Sequence, residues 1–62
     1  MSESLSERER LPLLLYQASY DGDLNRVKAL IKVGAEVNGN LNGTVPIWVA
    51  SQNGHLEVVR FL

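Results

Sequence analysis

With 62 residues and a net charge of −1, this chain makes at most one small domain. It has no cysteine, so neither a disulfide nor a zinc–thiolate site can staple it. A hydrophobic share of 45% is too high for a typical disordered tail, and residues 11–62 carry four acids against four bases, which argues against a nucleic-acid or membrane surface held by charge.

The first ten residues, MSESLSERER, are polar and mixed in charge. They lack the basic and apolar regions of a secretory signal, and they read as a polar leader opening an intracellular, cytoplasmic protein. The longest apolar run, LPLLL at 11–15, is far too short to span a membrane. A first helix is predicted from about Leu11 to Tyr20. Pro12 can sit in its first turn, where no backbone donor is needed. Leu11, Leu14, Leu15 and Ala18 form its apolar stripe. Gly22 breaks the chain, and Asp23 is placed to cap the next helix. That helix carries Leu24, Val27, Leu30 and Ile31 at helical spacing, and Gly34 stands where a left-handed C-cap belongs.

Next comes AEVNGNLNGTVP, whose two Asn-Gly pairs favour a tight, hairpin-like reversal. Pro46 opens a third helix running to about Asn53. Thr44 has the better capping chemistry before it, while Val45 directly precedes the proline. Gly54 breaks the chain again, and a fourth helix begins near His55.

The second half repeats the first. Residues 14–30 laid on residues 46–62, an offset of 32, give six identities in seventeen pairs: Ala18/Ala50, Ser19/Ser51, Gly22/Gly54, Leu24/Leu56, Val27/Val59 and Leu30/Leu62. Leu15/Ile47, Tyr16/Trp48, Asp21/Asn53 and Lys28/Arg60 are close. Such a period points to a solenoid unit of helix, turn, helix and extended loop. Two positions differ in kind. Gln17 and Arg26 in the first unit stand where the second has Val49 and Val58. A first unit has no neighbour on one side, so that face must tolerate water.

VPIWVASQNGHLEVVRFL resembles the ankyrin-repeat pattern T-P-L-H-x-A-A-x-x-G-H-L-E-V-V-x-L-L, and KVGAEVNG resembles the family's K-x-G-A-D-V-N loop. The resemblance covers about residues 13–62. Val45 replaces the family's Thr and Trp48 its His, and the loop from Val37 to Pro46 is one residue shorter than usual. It implies an all-α solenoid of stacked helix–turn–helix units joined by a short hairpin-like loop. The expected division is a leader at 1–10, a first, N-capping unit at 11–39, and a second unit at 40–62, incomplete at its C-terminal end.

Bond chemistry finds little support. The single histidine, His55, matches a structural position of the pattern and reads as cap or packing. The serines lie in no nucleophile-elbow setting. DGDLN at 21–25 looks like the start of a calcium loop, but Arg26 and Lys32 occupy the positions that need Gly and an acid. The glycines precede no Lys-Ser/Thr. A DNA-reading helix would need a basic flank, and residues 55–62 offer only Arg60. No catalytic residue, metal or cofactor is expected.

The resemblance places partner contacts just before the turn glycines and at the hairpin tip. These are Tyr20 and Asp21, Gln52 and Asn53, and Asn40, Leu41, Asn42 and Thr44. Leu41 reads equally as an anchor or as cover for a neighbouring hairpin. Trp48 is expected to pack between helices. The function implied is a protein-binding scaffold, with no nucleic-acid or membrane partner. The alternative is a docking or regulatory segment of a larger enzyme or channel. Val58, Val59, Phe61 and Leu62 are expected to form an open surface awaiting a further unit, or pairing with a second copy, so the chain reads as the N-terminal piece of a longer array.

Overall fold

The computed structural model describes residues 7–41 and 43–62. Four helices follow in order: α1 (Glu7–Asp21), α2 (Leu24–Lys32), α3 (Pro46–Gln52) and α4 (Leu56–Phe61). α1 packs on α2 and on α3, α3 on α4, and α2 on α4, which is the contact pattern of two stacked helix–turn–helix units. Among the described residues there is no strand, only one antiparallel bridge between Leu41 and Thr44.

The turns follow from the glycines. At the end of α1, Gly22 N–H bonds the Ser19 carbonyl at 3.3 Å and Asp23 N–H bonds that of Ala18 at 2.9 Å. At the end of α3, Gly54 bonds Ser51 at 3.1 Å and His55 bonds Ala50 at 2.9 Å. Both are Schellman closures with a left-handed glycine, at φ 74° for Gly22 and 73° for Gly54. α2 closes in the same way, with Gly34 N–H on Ile31 and Ala35 N–H on Leu30. In the first unit the residue ending the closure is also the next helix's cap: Asp23 Oδ1 accepts from Arg26 N at 3.2 Å.

α1 departs from expectation at its start. It begins four residues before Leu11, so Pro12 is its sixth residue and not part of the first turn. Glu and Arg are good helix formers, and acids near an N-terminus suit the helix dipole, so ERER extends the helix past the proline. The consequence is that Pro12 has no N–H to offer the carbonyl four residues back. α3 begins where expected, but its cap position is Val45, extended at φ −109°, ψ 155°, with no side-chain capping bond. A residue before proline is driven into that region. Thr44 is engaged through its backbone instead, exchanging bonds of 2.8 and 3.0 Å with Leu41. That exchange closes the tip of the AEVNGNLNGTVP loop as a tight reversal.

The core is Leu15, Ala18, Val27, Ala35, Ala50 and Val58, with Leu11, Leu24, Leu30, Ile31, Val59 and Leu62 packed against it. Ala18 of α1 and Ala50 of α3 are fully buried in that core. Val49 and Val58 are buried, whereas Gln17 and Arg26 at the matching positions of the first unit are exposed. The polar-for-apolar exchange therefore separates an outer face from a stacked one. Ser19 is also fully buried, and its hydroxyl has no hydrogen-bond partner among the described residues. Among the described residues no helix is long and apolar enough to cross a membrane.

Candidate functional site

The expected contact residues fall into two groups. Tyr20 and Asp21 end α1, and Gln52 and Asn53 end α3 or directly follow it. Since α1 and α3 pack together and both end at equivalent glycines, these four residues share one edge of the molecule. The hairpin residues Asn40, Leu41 and Thr44 precede the other end of α3, which is about 10 Å long. Asn42 lies outside the described residues.

Within the first group the four side chains are not equivalent. Tyr20 is exposed and stacks on Tyr16, with ring centroids 6.5 Å apart and planes inclined by 23°. One turn separates the two residues, so the helix itself sets the stack. Tyr16, Gln17, Tyr20 and Asp21 line a shallow depression of about 470 Å³. Asp21 and Gln52 are exposed. Asn53 is committed to its own helix, donating from Nδ2 to the Val49 carbonyl at 2.8 Å.

In the hairpin, Asn40 Oδ1 accepts from Gly43 N at 2.7 Å and so braces the tip. Leu41 and Thr44 are half-buried. A second cleft, of about 580 Å³, lies between the early part of α1 and the loop. Its lining includes Leu11, Pro12, Val33, Glu36 and Asn40. Its side chains supply one carboxylate and no nucleophile, and among the described residues no group of acids and histidine could hold a metal ion.

Two expectations about aromatic and apolar residues need correction. Trp48 is not packed between helices; it is 53% exposed. Tyr16, its equivalent, is half-buried, because the second unit stacks beside the first and, among the described residues, none stacks beside the second. The open surface is likewise misplaced in the expectation. Val58 is fully buried, for it faces the first unit, and Val59 and Leu62 are half-buried. Phe61 is exposed but lies against α2, with Lys28 Nζ 5.7 Å from its ring centroid. The uncovered positions are the translates of covered ones: Leu15 is 1% exposed and Ile47 39%, Ser19 is buried and Ser51 exposed, and Leu24 is half-buried while Leu56 is 70% exposed.

Sequence reasoning gave His55 a structural role but no partner. Its Nε2 lies 2.7 Å from the Tyr20 carbonyl oxygen, thirty-five residues away. The offset-32 comparison could have flagged it, since His55 falls opposite Asp23 in otherwise matching turns.

Residues 5–62 match the model of a family described as ankyrin repeats (3 copies). The chain is 37% identical over 49 residues, 77% of its length, to the ankyrin repeat domain-containing protein oryK of Aspergillus oryzae, of which that stretch is 8%. It has the same identity over the same share of its length to the Notch-regulated ankyrin repeat-containing proteins of Xenopus tropicalis and Homo sapiens, covering 43% of each. The chain thus spans less than half the length of these curated relatives. Ankyrin repeats are in general protein-interaction modules, and the family is generally a non-catalytic fold. The matching model over residues 5–62, the two glycine-closed units and the hairpin between them make this chain a member of the ankyrin-repeat family.

Proposed function

We propose that the chain is a protein-binding scaffold that holds its partner along the edge formed by the ends of α1 and α3, with the hairpin tip as a second point of contact. The observation that carries the reading is the Tyr16–Tyr20 stack beside Asp21, at the rim of a 470 Å³ depression. Tyrosine is a favoured interface anchor. Tyr20 places half its surface in solvent, and Asp21 is exposed beside it. Gln52 extends the polar edge, and Asn53 contributes through the part of its amide not held by Val49. Asn40, Leu41, Asn42 and Thr44 form the second contact. Recognition is by surface complementarity on a stacked scaffold, without catalysis or cofactor.

Alanine at Tyr20 or Leu41 should weaken binding of a captured partner by roughly 1–2 kcal/mol, whereas alanine at Lys28 or Arg60 should not. Titration of that partner against all four variants is the test, and equal losses at all four positions would count against the edge. Two further readings have observations of their own. The relatives are longer than this chain, which suits a docking segment within a larger enzyme or channel. The uncovered Ile47 and Leu56 suit pairing of the open face with a second copy, or stacking of a further unit in a longer array.

A further inference from the structure

We infer that the depression beside Tyr16 and Tyr20 is a socket for an arginine side chain of the protein partner, with the guanidinium laid on the Tyr20 ring and its N–H groups turned to the Asp21 carboxylate. The arginine is the partner's chemistry at the edge proposed above, so its place in partner binding rests on that reading.

Tyr16 and Tyr20 stand one turn apart on α1, and their rings stack with centroids 6.5 Å apart. Tyr16 is half-buried and Tyr20 exposed, so the inner ring backs the outer one and leaves it accessible. A ring held in this way loses little freedom when a ligand lies on it. Its face is the negative side of the aromatic quadrupole and attracts a cation. Gln17 and Asp21 line the same depression. Its polar groups are therefore a carboxylate, an amide and two phenol hydroxyls, and none of its lining residues is a base. Arg26, the first base after Asp21 in sequence, lies on α2 outside the lining. His55 meets the Tyr20 carbonyl, not the carboxylate.

The end of α1 also lacks the cation that a helix C-terminus favours. α2 and α4 provide their own, Lys32 and Arg60 in their last turns. The last turn of α1 holds no base and ends on Asp21. Negative charge thus stands where the helix already presents its negative end, and a cation brought by the partner relieves it. Arginine suits the place better than lysine. A guanidinium is planar and weakly hydrated, so it can lie flat on a ring while its N–H groups point outward in the same plane. Asp21 follows Tyr20 directly, which sets a carboxylate beside that ring to accept them in pairs. A lysine ammonium is compact and strongly hydrated, and it gains less from a ring face.

The test uses the isotope-labelled 62-residue chain and three blocked tripeptides, each with two glycines flanking arginine, lysine or citrulline. Citrulline keeps the shape and planarity of arginine without its charge. In nitrogen–proton spectra at neutral pH and low salt, the arginine peptide should shift the Tyr20 and Asp21 amides, and the ring signals of Tyr16 and Tyr20 with them. The citrulline peptide should bind roughly 5-fold more weakly or worse, with lysine between the two. Asp21→Asn should weaken the arginine peptide about 2- to 5-fold, whereas Glu36→Gln, which removes an acid from the other cleft, should not. Tyr20→Phe keeps the ring face and should bind like the parent; Tyr20→Leu should not. The depression is no arginine site if the parent chain binds the arginine and citrulline peptides alike or binds neither, a comparison that needs no variant to fold. Equal losses at Asp21→Asn and Glu36→Gln would likewise reduce the effect to diffuse charge. The edge itself is read separately, from the captured partner and Tyr20→Ala. A partner weakened by Tyr20→Ala, beside a chain that ignores arginine, keeps the edge and removes the arginine. A chain that takes arginine, beside a partner indifferent to Tyr20→Ala, overturns the edge and with it the partner's use of the socket.

Discussion

Gly22 and Gly54 hold the same φ in the same kind of turn, yet their surroundings differ. A methyl group on Gly22 meets the His55 ring, whereas a methyl on Gly54 meets nothing within 4 Å. Both substitutions to alanine carry the left-handed backbone penalty of about 1–2 kcal/mol. Gly22→Ala should cost more, by an amount that belongs to the ring. In a His55→Ala background the excess should vanish and the two glycine substitutions should cost the same. Denaturant titration of the three single and two double variants measures this, and a Gly22–His55 coupling below about 0.5 kcal/mol would show that the imidazole yields without strain. The need for glycine at both positions was legible from the repeat. The extra demand at Gly22 was not, because it arises from a side chain thirty-three positions away in sequence. Trp48 illustrates the same limit. Its residue type suggests burial, but its exposure depends on whether a neighbour stands beside α3.

At the scale of the element, α1 is where sequence rules and structure part company. The apolar stripe, the glycine stop and the Asp23 cap were readable, because each is set by residues within a turn of one another. The start of α1 was not, since two local rules conflict there. Proline favours the first turn, while the preceding Glu-Arg-Glu-Arg favours continuation, and continuation prevails at the expense of one backbone hydrogen bond. Pro12→Ala should therefore restore a donor to the helix interior. It should stabilise the chain by about 1–2 kcal/mol, less than the full ~3 kcal/mol helix preference because proline also restricts the unfolded chain. Circular dichroism should show helicity unchanged or raised, and the thermal midpoint should rise. A fall in both would place Pro12 at the first turn after all, with helix beginning near Leu11. The hairpin is simpler, for Asn40 and Gly43 lock it through a bond only three residues long.

For the whole molecule, the decisive contrast lies between two residues of α4 that point to different faces. Val58 is fully buried against the first unit, and Leu56 is 70% exposed. The repeat explains both. Val58 replaces the exposed Arg26 of the first unit because its face is stacked, and Leu56 repeats Leu24 although nothing covers it. Val58→Arg borrows the first unit's residue and would bury an unpaired guanidinium, at a cost of several kcal/mol. Two units bury little core, and even ordinary domains hold only about 5–15 kcal/mol, so cooperative unfolding should disappear. Arg26→Val, the reverse exchange at an exposed site, should stay within about 0.5 kcal/mol of the parent. Leu56→Glu should leave the fold intact, since the side chain is already in water, and should act on assembly alone. If the open face pairs with a second copy, sedimentation of the parent chain will show a concentration-dependent mass and the Leu56→Glu chain will sediment as a monomer. Head-to-tail growth is disfavoured, because it would press Gln17 and Arg26 of one copy against the apolar face of the next, so the paired species should stop at two chains and not extend into fibres. A parent chain that is monomeric at all concentrations, with a sharp melt above about 60 °C, would show that two units suffice and that the face needs no cover.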